Sequence, residues 1–358
     1  MALKLVELTD LHIIDYEDFL KVCPTSMMYH SLAYRRFLKE FLSSSAKDHY
    51  LLAFDGSQLV GVLPCFLTDG PYGVVINSLP FFGSHGGLLL HPMASNEAGV
   101  FLVDGFVNLC KKYNASFATV IDTPFASSEE LFKNSLDFQL SDQRIGQITT
   151  LPDGDTSEKI SENLMFSFHT KTRNHVRKGL KSGLVFGHDG SAKTLRALHS
   201  MHQQNILAIG GTTKPLGFFN SISNQMVYDK DYRIYTARTC EGEIISAVLL
   251  LYFKDFVEYF CPATMDGWRA KQPLSALIYL GMLDAVLQRQ SKKWNWGGTW
   301  LTQDGVYDFK SRWGTRDYPY NYYTRVFPDV KQLNGLGSQA LLKGYPWFYT
   351  VPYTVLGH

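Results

Sequence analysis

The sequence predicts an α+β protein built from two similar units. Its 358 residues exceed what one hydrophobic core normally fills, so two domains of about 150 to 180 residues are expected. Each half contains, in the same order, short strands separated by turns, a long helix and an apolar strand. This repeat favours a duplicated α+β unit, with domains at 1–155 and 156–330 and a tail at 331–358.

The first half begins with an apolar strand, Leu3 to Leu8, and continues with two helices, Asp15 to Val22 and Ser31 to Leu42. Alternating apolar runs bounded by Asp-Gly turns then predict antiparallel hairpins at His49 to Phe54, Leu59 to Leu67 and Val74 to Leu79. A helix at Ser95 to Tyr113 and a strand at Phe117 to Asp122 complete this half.

The second half repeats this order after a basic helical segment around residues 168–183. Two helices are expected at Ala192 to Ala208 and Pro215 to Val227. The strands that follow are expected at Tyr232 to Thr239, Ile244 to Phe253 and Phe256 to Cys261. Pro273 then starts a helix that runs to about Gln290, because proline suits the first position of a helix. It leads to a short strand at Trp294 that ends in a glycine turn, and to a short helix.

Composition and charge exclude several classes of protein. Apolar residues make up 45% and charged residues 19%, which predicts packed cores rather than disorder. Lys and Arg number 34 against 33 for Asp and Glu, so the net charge of +1 gives no general attraction to DNA, and any anion site must be local. The five cysteines are scattered, with no Cys-x-x-Cys pair, which suits a reducing cytoplasm.

The chain also lacks the signals of export and of membrane insertion. Acidic residues appear too early for a signal peptide, and no apolar run approaches the roughly 18 residues that span a bilayer. We therefore expect a cytoplasmic protein without a transmembrane segment. Peripheral contact with a membrane stays open.

Lys310 is the main candidate for chemistry. It lies in Tyr307-Asp308-Phe309-Lys310-Ser311-Arg312-Trp313-Gly314, about ten residues after Trp294-Asn295-Trp296-Gly297-Gly298-Thr299. Aromatic neighbours would shield this lysine from water, so that it could meet an anion or an oxyanion. The alternative is a surface lysine at the C-terminus of a helix.

A basic row offers a second candidate site. Helical periodicity places Arg173 and Arg177 on one face, with Lys178 beside them and Lys181 continuing the row. Guanidinium groups match phosphate oxygens well, whereas a solvated basic face is the ordinary alternative. Arg36, with its neighbours Arg35 and Lys39, belongs to a similar helix in the first half.

Other chemistries have little support. His85 lies in a glycine-containing loop, Leu79 to Gly87, where it could line a cleft. The histidines and acidic residues show no spacing typical of metal ligands, so no metal is predicted. A Gly-x-Ser-x-Gly nucleophile motif does not occur, which disfavours covalent hydrolase chemistry.

Four segments together resemble the Fem family, the FemAB-like aminoacyl and acyl transferases with two GNAT-like domains. The segments are Met28 to Ser31, the row from Arg173 to Gly179, Trp296 to Thr299, and Phe309-Lys310 with Trp313-Gly314. Each segment is short, but their order and spacing cover most of the chain. The implied fold is two tandem GNAT-like domains, mixed sheets flanked by helices, with the catalytic motifs in the second.

The resemblance implies an acyltransferase in which an amine attacks an activated carbonyl and forms an amide. The acceptor would be a small-molecule or lipid-linked cell-envelope precursor or amino-sugar, related to polysaccharide or peptidoglycan and carrying a diphosphate. Lys310 would stabilise charge on the carbonyl oxygen. Glu258 and Tyr259, on a strand facing the acyl channel, could accept a proton through water.

The resemblance implies substrate binding for Gly297, Thr299, Arg36, Arg173, Arg177 and Lys178, and the glycine loop adds His85 as a predicted binding residue. The basic row would hold the acceptor diphosphate or a tRNA phosphate. The donor stays open between an acyl thioester, on coenzyme A or acyl carrier protein, and aminoacyl-tRNA, and no tightly bound cofactor is expected. A non-catalytic GNAT-fold module that binds a sugar-nucleotide or envelope precursor is the alternative to an enzyme.

One departure concerns coenzyme A. GNAT enzymes usually hold its pyrophosphate with Gln/Arg-x-x-Gly-x-Gly/Ala at a helix start. Here the comparable residues are Arg269-Ala270-Lys271-Gln272-Pro273-Leu274, in which larger residues fill both glycine positions. Standard binding of coenzyme A is therefore disfavoured.

Overall fold

The computed structural model describes residues 3–80, 85–125, 127–327 and 337–356. The chain divides into two compact units. Unit 1 comprises residues 1–145 and 318–358, and unit 2 comprises residues 146–317. The predicted boundary at 155 lies about ten residues from this division, and the described part of the predicted tail belongs to unit 1.

The strands in chain order are β1 (Leu3–Glu7), β2 (Ala46–Asp48), β3 (Leu51–Asp55), β4 (Gln58–Leu63), β5 (Phe66–Gly70), β6 (Gly73–Asn77), β7 (Leu89–Leu90), β8 (Ala115–Ile121), β9 (Leu140–Thr150), β10 (Val185–His188), β11 (Tyr232–Arg238), β12 (Ile244–Phe253), β13 (Phe256–Thr264), β14 (Lys293–Trp300) and β15 (Thr315–Val326).

The α-helices in chain order are α1 (Ile13–Val22), α2 (Leu32–Phe41), α3 (Asn96–Lys112), α4 (Glu129–Leu131), α5 (Ser157–Ser167), α6 (Thr170–Leu180), α7 (Ala192–Leu207), α8 (Leu216–Gln225), α9 (Pro273–Arg289), α10 (Asp304–Ser311) and α11 (Ser338–Gly344). Mixed sheets flanked by helices confirm the predicted α+β class.

Unit 1 contains two sheets. One has the order β1-β3-β4-β7 and is antiparallel throughout. The other has the order β15-β8-β6-β5-β2, with a parallel pair between β6 and β8. Leu102, Val103 and Phe106 of α3 bury their side chains in a core shared with both sheets. The predicted strand Leu59 to Leu67 was wrong as one element, since it breaks after Leu63 and its two parts enter different sheets.

Unit 2 contains the strand order β10-β11-β12-β13-β14, antiparallel except for the last pair. Helix α9 connects β13 to the parallel strand β14 and packs its Leu277, Ile278 and Met282 into the core. β12 is buried along nearly its whole length, because successive side chains of a strand face opposite sides and helices cover both.

Strands β13 and β14 separate after a short paired stretch. Their register runs from Phe256 opposite Lys293 to Glu258 opposite Asn295, although both strands continue beyond it. A bulge in β13 adds Phe260, since Tyr259 and Cys261 face the consecutive residues Leu250 and Leu249 of β12. The sheet of unit 2 therefore opens beside Glu258.

The glycine turn predicted after Trp296 was wrong, because β14 continues through Gly297 and Gly298 to Trp300. Gly297 has a φ of +71°, in the left-handed region, so the strand bends there without ending. Part of the predicted glycine loop, residues 81–84, lies outside the described residues. Among the described helices, none combines the length and the apolar character needed to cross a bilayer.

Candidate functional site

Lys310 is buried in unit 2, in the last turn of α10, with 7% of its surface exposed. Its ammonium Nζ donates to Thr299 Oγ1 at 2.8 Å and to the carbonyl oxygens of Gly297 and Gly298, each at 3.3 Å. The bend at Gly297 thus brings two backbone carbonyls of β14 and one hydroxyl to the same cation. All three N–H donors of the ammonium have a partner.

The charge of Lys310 has no carboxylate counter-ion among the residues that the structure describes. Burial lowers the pKa of Lys310 from 10.5 to about 8, since removing a cation from water disfavours its charged form. The side chain is still mainly protonated at neutral pH. A buried cation that only neutral dipoles stabilise can attract negative charge that develops on a bound substrate.

Aromatic residues flank Lys310 in sequence, and their rings pack against one another. Trp296 lies 5.5 Å from Trp313 and 6.0 Å from Phe309 between ring centroids, and Phe168 packs 5.0 Å from Trp313. Trp296 Nε1 donates to Thr149 Oγ1 at 2.9 Å, and that hydroxyl donates to the carbonyl of Trp313 at 3.0 Å. The rings are therefore fixed as well as apolar.

Thr299 connects Lys310 to β9. Its hydroxyl donates to Gln147 Oε1 at 3.2 Å, and the Gln147 amide donates to the carbonyl oxygen of Tyr307 at 3.4 Å. Gln147 and Thr299 are both fully buried.

Glu258 joins the same network through Asn295. The Asn295 side chain donates to Glu258 Oε2 at 2.7 Å and accepts from the backbone N–H of Gly297 at 3.0 Å. Gly297 in turn accepts from Lys310, so a continuous chain of hydrogen bonds leads from the carboxylate to the ammonium. These hydrogen bonds begin at Glu258 and Asn295, the last paired residues before β13 and β14 separate.

Tyr259 lies next to Glu258 on β13, and its ring centroid is 4.9 Å from that of Trp296. Burial raises the pKa of Tyr259 well above its usual value. Its phenol is therefore protonated at neutral pH and can donate a hydrogen bond more readily than it can accept a proton.

The basic row lies on α6. Arg173 donates to the carbonyl of Phe168 at 2.6 Å and to Thr170 Oγ1 at 2.9 Å, so its guanidinium stabilises the start of this helix. Arg177 and Lys178 are exposed, and neither forms an ion pair with a described residue. Their binding of phosphate stays a prediction, as it does for Arg173.

The N-terminus of α9 is covered by α6. A Cβ atom on Gly179 would lie 2.5 Å from the carbonyl oxygen of Gln272 and 2.9 Å from Ala276. Pro273 and Ser275, in the first turn of α9, are buried. The first turn is therefore packed against protein at the position where GNAT enzymes usually hold a pyrophosphate.

Two predicted residues belong to unit 1. Arg36 is exposed on α2, whereas its neighbour Arg35 and Lys39 both pair with Asp48. His85 is fully buried, with its ring 4.6 Å from Tyr320 and 5.9 Å from Tyr29. Burial among tyrosines gives His85 a packing role in unit 1.

The structure therefore brings together Lys310, Gly297, Thr299 and Glu258, with Tyr259 adjacent, and leaves Arg36 and His85 in the other unit. Sequence reasoning gave no role to Asn295 and Gln147. Asn295 stood within the aromatic segment and could have been noted as a polar residue between two tryptophans. Gln147 carried no signal, since it is 152 residues from Thr299 in sequence.

Comparison with known proteins shows the fold. No protein-family model and no curated protein matches the sequence. The crystal structure of FemX matches with a TM-score of 0.70 at 15% identity, covering 89% of this chain and 97% of FemX. A tandem GNAT protein from the clavulanic acid biosynthesis pathway matches with a TM-score of 0.56 at 12% identity, covering 91% and 98%.

The chain has a FemAB-like tandem GNAT fold. L-PGS from Bacillus licheniformis also shares it, with a TM-score of 0.51 at 13% identity over 87% of this chain and 90% of L-PGS. The predicted resemblance is thus confirmed at the level of the fold. Within this FemAB-like fold, the described residues contain no group of three or more His, Cys, Asp and Glu side chains that could hold a metal ion.

Proposed function

We propose that this protein is an N-acyl or aminoacyl transferase that forms an amide on the amine of a cell-envelope precursor or amino-sugar. The observation that carries the proposal is the buried Lys310 ammonium, which lies beside the opening between β13 and β14 and has only neutral oxygen partners. Acyl transfer places negative charge on a carbonyl oxygen, and a cation in a dry site stabilises it.

In the proposed reaction, a neutral amine attacks the acyl carbonyl and a tetrahedral intermediate forms. Lys310 exchanges one of its two 3.3 Å carbonyl bonds for a bond to the oxyanion, because these are longer than the 2.8 Å bond to Thr299. The carbonyl then re-forms and expels either a thiolate or the ribose oxygen of the tRNA, and this oxygen becomes a hydroxyl by taking up the proton that the amine loses. The amine proton passes through water to Glu258, whose carboxylate Asn295 holds in place.

The covered first turn of α9 bears on the donor. Coenzyme A bound in the usual GNAT manner would need the free N–H groups of that turn, and Gly179 of α6 packs against the same turn at Gln272 and Ala276. This packing favours an aminoacyl-tRNA, or an acyl thioester held elsewhere, as the donor. A tRNA or an acceptor diphosphate would be bound by the exposed cations Arg177 and Lys178.

The same proposal assigns the reaction to the cytoplasm. Cys65, Cys110 and Cys261 are buried free thiols, and Cys240 is an exposed one. Free thiols suit a reducing compartment.

The decisive experiment detects product. The protein is incubated with an acyl-CoA or with aminoacyl-tRNA, in each case with amino-sugar nucleotides, and the acceptor is weighed by mass spectrometry. Wild type should add the acyl or aminoacyl mass to the acceptor, and Lys310→Ala should lose this activity. Turnover of Lys310→Ala within about threefold of wild type, below about 1 kcal/mol of transition-state stabilisation, would contradict the proposal.

The donor is decided separately by retention of labelled aminoacyl-tRNA on filters at several salt concentrations. A tRNA donor should bind at low salt and weaken as salt rises. Failure to bind at low salt would favour the thioester.

One observation supports a second candidate, a non-catalytic module that binds a sugar-nucleotide or envelope precursor. All three donors of Lys310 already have partners within the protein, as in a purely structural lysine. Such a module would gain thermal stability with its ligand and add no mass to it. Lys310→Ala would then leave ligand-induced stabilisation unchanged.

A further inference from the structure

The polar groups around Lys310 form a closed ring of hydrogen bonds. Lys310 donates to the Thr299 hydroxyl, Thr299 donates to Gln147, and Gln147 donates to the backbone carbonyl of Tyr307. Tyr307 and Lys310 both belong to α10, so the ring returns to the helix on which it starts. Three elements, β9, β14 and α10, are joined at this point.

Each bond in the ring sets the direction of the next. The Tyr307 carbonyl can only accept, so it fixes the Gln147 amide with its NH₂ group toward α10 and its oxygen toward Thr299. A threonine hydroxyl has one hydrogen, and the amide oxygen takes it. A lone pair of Thr299 Oγ1 is therefore free to accept from the ammonium at 2.8 Å.

We propose that Gln147 is a positioning residue that holds Lys310 in place by orienting the Thr299 hydroxyl. This inference rests on the proposed function for its catalytic meaning, because Lys310 is the group that would contact the reacting carbonyl. Gln147 itself acts through Thr299. With the hydroxyl held as an acceptor, the ammonium keeps one short bond as an anchor while either of its longer carbonyl bonds is exchanged for a substrate oxygen.

Gln147 carries a neutral amide at a position where a glutamate would carry a negative charge. A glutamate at 147 could accept the same hydrogen bond from Thr299, but it would bring a negative charge within one hydroxyl of Lys310. An opposite charge at this range stabilises the ammonium strongly and would make it a weaker partner for an oxyanion. Glutamine orients the hydroxyl and leaves the cation uncompensated.

The first test needs no substrate. Protein with ¹³C-labelled lysine is titrated by NMR, and the Lys310 signal is identified by its loss in Lys310→Arg. Gln147→Glu should raise the pKa of Lys310 by about one pH unit or more, and Gln147→Leu should lower it. Gln143→Glu is the matched control, since Gln143 is exposed on the same strand, and it should leave the titration of Lys310 unchanged.

The second test uses turnover. Gln147→Leu should lower kcat by of order tenfold with little change in KM, because orientation rather than binding is lost. Adding Gln147→Leu to Thr299→Val should cost nothing further, since the hydroxyl that Gln147 orients is then absent. Thr299→Ser, which keeps the hydroxyl, should retain most of the activity.

The outcomes separate the two proposals. If Lys310 titrates alike in wild type, Gln147→Glu and Gln147→Leu, the positioning role is overturned whatever the activity. If the titration shifts as expected but wild type adds no mass to any acceptor, the positioning role stands and the transferase proposal fails. Should Gln147→Leu not fold, Gln147→Glu and the pair Thr299→Val and Thr299→Ser decide the question.

Discussion

Lys310 of unit 2 is buried in a different way from the arginines of unit 1, and Arg233 of unit 2 resembles those arginines because it pairs with Asp229 and Asp284. In unit 1, Arg144 is 4% exposed and forms an ion pair with Asp142, and Arg35 pairs with Asp48 at 2.6 Å. In unit 2, Lys310 is as deeply buried but has only two carbonyls and a hydroxyl around it. Because an uncompensated buried charge is costly, a fold that served stability alone would pair it or replace it. This difference supports the proposed role of Lys310 in the chemistry.

The largest expected effect comes from removing each cation. Arg144→Met leaves Asp142 without its ion-pair partner and should lower the free energy of unfolding by about 3 kcal/mol. Lys310→Met should change it by less than about 1.5 kcal/mol, since the lost hydrogen bonds are offset by the relief of burying a charge. Urea unfolding followed by tryptophan fluorescence measures both values.

The losses of turnover in Arg144→Met and Lys310→Met should have the opposite order to the losses of stability. Lys310→Met should lose about 100-fold or more in turnover, by analogy with removal of one oxyanion donor. Folded Arg144→Met should remain active. Equal losses of stability in the two variants would show that Lys310 is an ordinary structural residue.

Stability should depend on pH in opposite senses in the two units. Between about pH 8 and 10.5 the unfolded chain protonates Lys310 more fully than the folded one, because burial lowers the folded pKa to about 8. The contribution of Lys310 to the free energy of unfolding therefore rises through this window and is lost as pH falls through about 8.

Asp122 of unit 1 is the matched case. Burial raises the pKa of its carboxyl from 3.8 to about 6, so its contribution is full below 3.8 and is lost as pH rises through about 6. Urea unfolding of Lys310→Met from pH 7 to 10, and of Asp122→Asn from pH 4 to 7, gives each contribution by difference from wild type. A contribution of Lys310 that falls with pH, or one of Asp122 that rises, would contradict the corresponding assignment.

Gly314, just after α10, and Gly242, in the turn between β11 and β12, allow the candidate site to be compared with an ordinary turn. Gly314 and Gly242 both have positive φ, +72° and +84°. A Cβ on Gly314 would lie 2.8 Å from the carbonyl oxygen of Ser167, whereas nothing lies within 4 Å of one on Gly242. Gly314→Ala should therefore cost about 2 to 3 kcal/mol and Gly242→Ala about 1 kcal/mol, measured by thermal unfolding. Equal costs would mean that the segment after α10 adjusts freely.

The smallest effects are expected on α6. Arg177→Ala and Lys178→Ala should change the free energy of unfolding by less than about 0.5 kcal/mol, and Arg36→Ala in unit 1 should behave alike. Arg173→Ala should cost about 1 kcal/mol, because it removes bonds to Phe168 and Thr170.

Binding of a sugar-nucleotide diphosphate to the same variants tests the predicted phosphate site. Its affinity should fall in Arg177→Ala and Lys178→Ala, with a weaker dependence on salt. Unchanged affinity in both would exclude the α6 row from the acceptor site.

Much of the fold was accessible from the sequence because local patterns are strong there. The predicted strand Ile244 to Phe253 coincides with β12, and the predicted helix from Pro273 ends one residue beyond α9. Both have long apolar runs with clear ends. The same holds for α10, which was expected around Lys310.

The strands β9 and β15 were missed for physical reasons. β9 has four polar residues at 141–144, a pattern that does not indicate a strand. The sequence alone would place Arg144 on the surface, whereas its ion pair with Asp142 allows it to be buried. β15 contains Pro319, which removes a backbone donor and argues against a strand interior. Both strands are held by neighbouring strands of the sheet that are distant in sequence, which the local pattern does not reveal.

Some residues of the candidate site could be predicted from local sequence patterns, and others could not. Lys310, Gly297 and Thr299 stand within one short stretch of sequence, so their meeting could be anticipated from local motifs. Gln147 joins them only through the pairing of elements far apart in the chain. Sequence patterning shows which residues are chemically suited to a site, whereas the residues that hold them in place become visible only with the fold.

The division of the chain sets an order of events during synthesis. Unit 1 consists of two stretches, 1–145 and 318–358, with all of unit 2 between them. Strand β8 pairs with β15, and Asn77 binds the backbone of Tyr349 at both its N–H and its carbonyl, so unit 1 is incomplete until residues 318–358 emerge. Unit 2, as one uninterrupted stretch, can finish folding on the ribosome while the first 145 residues still wait for their last strand.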